Sequence, residues 1–155
     1  MTEAEFWKPI NAFGNSFYPL YVKKTPWADE LIAKVREVGQ PIMICTDSSA
    51  NMPGILGKEM WIRRLFGLDT KVSYTSEKHL LAAPGRLLID DSPGNCERFA
   101  MFGGSSLLFP RPWNAGYHSD PHASFLTVYD KLADWKNFGK VTTITGQDIV
   151  EVIDA

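Results

Sequence analysis

Two adjacent carboxylates, Asp90 and Asp91, end the apolar run Leu87-Leu88-Ile89 within the stretch Arg86-Leu-Leu-Ile-Asp-Asp-Ser-Pro-Gly-Asn95. Neighbouring carboxylates repel each other unless a cation or a proton sits between them, so the pair is a candidate Mg²⁺ site. The apolar run predicts a buried strand, and the carboxyl ends of strands in an open parallel sheet are where ligands bind. Asp, Ser, Pro and Gly are also turn formers, and an acidic turn that merely closes the strand is an equal reading.

A second chemical stretch is Thr46-Asp-Ser-Ser49, which follows the predicted strand Pro41-Ile-Met-Ile-Cys45 and precedes a helix over about 55–66. Hydroxyls and backbone amides between a strand and a helix can hold a phosphate, although Ser and Thr there more often cap the helix. Lys78 lies a dozen positions before Asp90. A lone lysine is normally solvated, and this one matters only if it points inward at the strand ends. His118, Asp120 and His122 suggest a metal by type, but the intervening proline and the lack of further ligands favour a loop.

The elements that must position these groups alternate. Ala28, Leu31, Ile32, Val35 and Val38 keep helical spacing, and Gly39 supplies the stop. Lys71 to Thr75 predicts a strand and Ser76 to Leu81 a short helical turn. Pro93 to Phe102 reads as a helix with Pro at its start and Gly103-Gly104 past its end. Ser105 to Phe109 is another buried strand, and Phe125, Val128, Tyr129 and Leu132 share a face of a last helix over about 124–135. Strands alternating with helices argue for an α/β fold with a mainly parallel sheet flanked by helices. Residues 5–27 are aromatic and broken by prolines, poor for one long helix but good for an apolar wall that stacks on a ring. Core packing is the alternative for most of Trp7, Phe13, Phe17 and Tyr18. In the tail, Val141 to Thr145 predicts a strand, and Ile149, Val152 and Ile153 suit either a helix or a buried strand.

Composition sets the outer bounds. The chain has 155 residues, 45% hydrophobic and 22% charged, which suits one globular domain with a core of its own. A formal net charge of −2 gives no basic surplus for nucleic acid. No apolar run approaches membrane-spanning length, and Met1-Thr-Glu-Ala-Glu-Phe-Trp7 lacks the pattern of a signal peptide. With two cysteines, Cys45 and Cys96, a disulfide framework is not expected; buried thiols in a reducing cytoplasm are.

The ordered set strand-Thr46, Lys78, strand-Asp90-Asp91 resembles motifs of the haloacid dehalogenase (HAD) superfamily of phosphohydrolases. Ile44-Cys-Thr46, Lys58-Glu-Met-Trp-Ile-Arg-Arg-Leu-Phe-Gly67, Ser76-Glu-Lys78, Leu87-Leu-Ile-Asp-Asp91 and Leu107-Leu-Phe109 resemble its 5'(3')-deoxyribonucleotidase branch, including phage-encoded relatives. Phe6-Trp7, Ile10, Gly14, Phe17 and Pro26 are similar to the end of that branch's small helical cap.

The resemblance implies a HAD-like, Rossmann-like core over 28–138, a cap remnant over 1–27 and an extension over 139–155. It implies a phosphomonoesterase acting on nucleoside monophosphates. Thr46 would hold the phosphoryl group, Lys78 would neutralise it, and Asp90 would bind Mg²⁺ with Asp91 beside it. Ser48 or Asp47 would lie near the phosphate, and Trp7, Phe13 and Phe17 near the base. The family's first motif, Asp-x-Asp-Gly after a central strand, supplies the nucleophile, and no Asp-x-Asp occurs in these 155 residues. Without a carboxylate nucleophile the covalent route fails, and without its strand the sheet has a central gap. Three explanations compete: an inactive relative that still binds a nucleotide, phosphate or partner; a split enzyme whose missing strand comes from another polypeptide; or a permuted one in which Ile149 to Asp154 fills the gap and Asp154 replaces the nucleophile. A binding or assembly module that completes its sheet as a homo-oligomer is the reading from another class.

Overall fold

The structure is a computed structural model, and it describes residues 2–25, 27–47, 52–115 and 121–138. In chain order its elements are α1 (Glu3–Ala12), a 3-10 turn (Gly14–Ser16), α2 (Phe17–Tyr21), α3 (Ala28–Glu37), β1 (Met43–Thr46), α4 (Met52–Phe66), β2 (Lys71–Tyr74), a second 3-10 turn (Lys78–Leu81), β3 (Leu87–Asp90), α5 (Pro93–Met101), β4 (Ser105–Leu108) and α6 (Pro121–Phe138). The fold is mixed α/β with short parallel strand pairs. It divides into two compact units, Met1–Pro26 with Ile42–Ser76, and Trp27–Pro41 with Glu77–Ala155.

In the first unit β1 pairs in parallel with β2, Met43 opposite Lys71 and Thr46 opposite Tyr74. A parallel pair needs a crossover, and α4 supplies it. The aromatic N-terminal stretch forms short helices with a tight turn between them, as its prolines require. Gly57 lets α4 press on that turn: a Cβ there would lie 2.6 Å from the Asn15 carbonyl oxygen. The Trp61 indole donates to the Val22 carbonyl at 2.7 Å and fixes the same contact further along the helix.

The far end of α4 is tied to β2 through Glu59. Its carboxylate accepts from the Tyr74 hydroxyl at 2.5 Å and from Arg63 Nε at 2.6 Å. Arg63 also donates to the carbonyls of Leu68 and Thr70. Burial first, then the bond to Glu59, push the Tyr74 hydroxyl above the ordinary tyrosine range, while Tyr74 and Arg63 hold Glu59 below the usual carboxylate range. Stability from the raised Tyr74 is present while the phenol is protonated and is lost as pH rises through its folded value. Stability from the lowered Glu59 is lost as pH falls through its own. Absorbance titration of the phenols therefore shows a late-ionising component that Tyr74→Phe removes; a late component unchanged in that variant contradicts the assignment.

In the second unit β3 pairs in parallel with β4, Leu87 opposite Ser105 and Asp90 opposite Leu108. Alternation along β4 sends successive side chains to opposite faces. Ser106 donates to the Cys96 carbonyl at 3.0 Å, and Leu108 packs with Cys96, so this face carries α5. Leu107 and Phe109 pack with Leu31 of α3 and with Val128 and Leu132 of α6, so the other face is the larger core. Trp27 stacks on Phe109 with ring centroids 4.2 Å apart. The Ser92 hydroxyl caps α5 by accepting from Asn95 N at 3.3 Å, and Pro93 begins the helix, where a missing N–H costs nothing.

Two features depart from the sequence reading. The sheet is two two-stranded pairs among the described residues, because pairing beyond neighbouring strands is a long-range property that strand patterns do not encode. Cys96 is buried, as expected of an inert thiol, but Cys45 is only half-buried.

Candidate functional site

The strand β3 delivers Asp90 to its C-terminal end fully buried. One carboxylate oxygen accepts from Lys78 Nζ; the other accepts from Ser92 N at 3.1 Å and Asn95 Nδ2 at 2.8 Å. The helical turn that carries Lys78 thus aims it inward, with its side chain 11% exposed. The condition set by the sequence is met: this lysine is no solvated surface residue.

Asp91 is half-buried and is served by the turn after β4. Arg111 Nε stands 4.0 Å from its Oδ2, and Trp113 also hydrogen-bonds its carboxylate. Burial raises the Asp91 carboxyl above the usual range and the Asp90 charge adds to the rise, against the lowering effect of Arg111 and Lys78. The Arg111 guanidinium lies over three rings, 5.0 Å from Trp27, 5.2 Å from Phe109 and 5.7 Å from Trp113. Asn114 ties the turn to both strands, its amide donating to the Asp91 carbonyl at 3.0 Å and the Phe109 carbonyl at 2.9 Å.

In the first unit Thr46 ends β1. The Lys58 ammonium lies 3.5 Å from the Thr46 hydroxyl, donates to the Asp47 carbonyl at 2.6 Å and sits 5.4 Å over the Tyr18 ring. A cation and a hydroxyl side by side at a strand end are suited to an anionic oxygen. Phe13, Phe17, Tyr18 and Tyr21 cluster with ring centroids 4.9 to 6.5 Å apart, and Phe13 and Tyr21 are exposed. Burial, then the Asp47 charge, push the Tyr18 hydroxyl up.

Lys58 and Arg111 are the charged groups that the sequence reading did not single out as site residues. Lys58 had a signal: it stands four residues from both Gly54 and Ile62, which are buried on α4, so a lysine falls in the inward-facing register. Arg111 had none, because its approach to Asp91 depends on the pairing of β3 with β4. Ser48, Asp154, His118 and Asp120 lie outside the described residues, as do the side chains of Trp7 and His122.

Among the described residues no group of three or more His, Cys, Asp or Glu could hold a metal ion. The acidic pair by itself falls short of such a group; Mg²⁺ is commonly held by one or two carboxylates, with waters and a bound phosphate completing its coordination. Asp90 already accepts three bonds of the roughly four its carboxylate can take. Asp91 is the more open of the two.

No family profile, curated protein or solved structure matches the chain. No helix among the described residues is long and apolar enough to cross a membrane.

Proposed function

We propose that the chain is a HAD-like phosphohydrolase domain of the 5'(3')-deoxyribonucleotidase type, acting with Mg²⁺ on nucleoside monophosphates in the cytoplasm. The observation that carries this reading is the buried Lys78–Asp90 pair at the end of β3, with Asp91 next in line. Phosphoryl transfer is largely positioning and the placing of positive charge around the oxygens. In the second unit the reading gives Asp90 and Asp91 the metal and Lys78 the charge of the transferred group. In the first unit, taken by itself, Thr46 and Lys58 are suited to an anionic oxygen and the Phe13, Phe17 and Tyr18 rings to an aromatic ligand. Bound Mg²⁺ supplies charge stabilisation of the phosphoryl oxygens.

A second reading is a nucleotide-binding or assembly protein without turnover. It draws support from the strand pairs taken one by one: among the described residues β1 pairs only with β2 and β3 only with β4, and an unpaired strand edge is a place where another segment can add.

The test is phosphate release from a panel of deoxynucleoside monophosphates, with Mg²⁺ and with chelator, in the wild type and in Asp90→Asn. Metal-dependent release that Asp90→Asn abolishes is the outcome expected of the enzyme. Calorimetric nucleotide binding without release selects the second reading, and neither binding nor release overturns both.

A further inference from the structure

Two sides of α4 have partners within the first unit. Gly57 meets the turn at Asn15 and Trp61 the Val22 carbonyl on one side, and Glu59 meets Tyr74 of β2 on another. The third side is the row Met52, Leu56, Met60 and Arg64, spaced four residues apart and therefore aligned along one face of the helix. Met52 is 76% exposed, and Leu56 and Met60 are each 50% exposed. A surface helix ordinarily turns charged and polar side chains outward. This row turns out three large apolar side chains, and its first charge is Arg64, itself exposed.

The row is its own complement. It reads Met, Leu, Met about Leu56, so a second α4 laid antiparallel along it sets Met52 of each copy against Met60 of the other, and Leu56 against Leu56. Rows of this spacing are the ridges that interlock in the commonest class of helix pair. The two ends carry opposite charge: Arg64 lies beyond Met60, and the exposed Asp47 precedes the helix at its other end. Antiparallel copies bring Arg64 of each level with the approach to α4 in the other, where Asp47 stands; parallel copies would set Arg64 against Arg64. We infer that this face of α4 is a self-association surface, through which two copies of the chain pair about a two-fold axis at Leu56. An isologous contact of this kind uses the same patch on both copies and closes on itself. It uses a helix face rather than a strand edge, and it stands whether or not the chain turns over a nucleotide.

The experiment is sedimentation equilibrium of the full chain from low micromolar to several hundred micromolar. The mass is expected to rise from the 17.4 kDa of one chain toward twice that value. Leu56→Asp, which sets two carboxylates together on the axis, is expected to hold the mass at one chain throughout with unchanged circular dichroism. Leu68→Asp, at an exposed apolar site beyond the end of α4, should leave association intact. Arg64→Asp and Asp47→Arg each break both charge pairs, and each is expected to weaken self-association by about tenfold, the scale of two exposed ion pairs lost together. Mixed in equal amounts, these two variants regain both pairs and should associate with one another as tightly as the wild type. A wild type that stays at the mass of one chain over the whole range overturns the proposal and leaves the row to a different partner. A dimer that survives Leu56→Asp overturns it as well, because the copies then meet elsewhere. If Leu56→Asp loses its circular dichroism, the charge-reversed pair decides: association in the mixture no tighter than in either variant alone overturns the antiparallel pairing.

Discussion

Lys78→Met is expected to destabilise the chain by about 3–5 kcal/mol, because it leaves the Asp90 carboxylate buried without its cation. Asp90 is 1% exposed at its side chain and cannot recover the lost charge from water. The remaining donors, Ser92 N and Asn95 Nδ2, hold its other oxygen and do not replace an ammonium group. Asp90→Asn leaves the converse fault, a buried ammonium with a neutral partner. The pair is therefore best read as a cycle, in which Lys78→Met with Asp90→Asn costs much less than the sum of the single changes. Urea unfolding of the four proteins gives the coupling directly. A loss below about 1 kcal/mol for Lys78→Met, the level of an exposed ion pair, would sink the assignment of this pair as buried.

Phe109→Ala is expected to cost about 3–5 kcal/mol, the usual range for emptying a large aromatic site in a core. Phe109 is 1% exposed, stacks on Trp27 and packs with Leu31, Val128 and Leu132, so α3 and α6 both lose a contact. Phe109→Leu refills part of the space and should lose less. The same denaturant measurement checks both. A small loss for alanine would mean that the helices close over the gap, and the core would be softer than its burial suggests. The substitution also removes one of the rings beside the Arg111 guanidinium.

The sequence legibly encoded the features that depend on neighbours along the chain. Ala28 to Glu37 forms a helix because its apolar spacing faces one way and its acidic first turn and basic last turn suit the helix dipole. Pro93 begins α5 where a proline is harmless, and the apolar triplet before Asp90 forms β3. Thr46 at the end of β1 and Asp90 at the end of β3 stand where the strand pattern put them. The inward aim of Lys78 was readable only as a condition, since a 3-10 turn can present its side chains either way. What the sequence hid depends on distant segments meeting. Lys58 reaches Thr46 because the α4 crossover returns over β1, and Arg111 reaches Asp91 because β4 lies beside β3. The acidic pair looked like two charges in need of a metal, yet the fold had already given each a cation of its own. Asp154 and Ser48, which the sequence reading brought to the site, lie beyond what the described residues address.

The strand β3 has the composition of a strand from the middle of a sheet, Leu87-Leu-Ile-Asp90, yet among the described residues a neighbour lies on one flank only. Edge strands are commonly guarded by being very short or by an inward-pointing charge, and β3 has both: four residues, ending in the buried Asp90. Leu87 and Ile89 pack against the core and Asp90 closes the strand, so the apolar run is too short, and too soon ended by a charge, to template a cross-β stack.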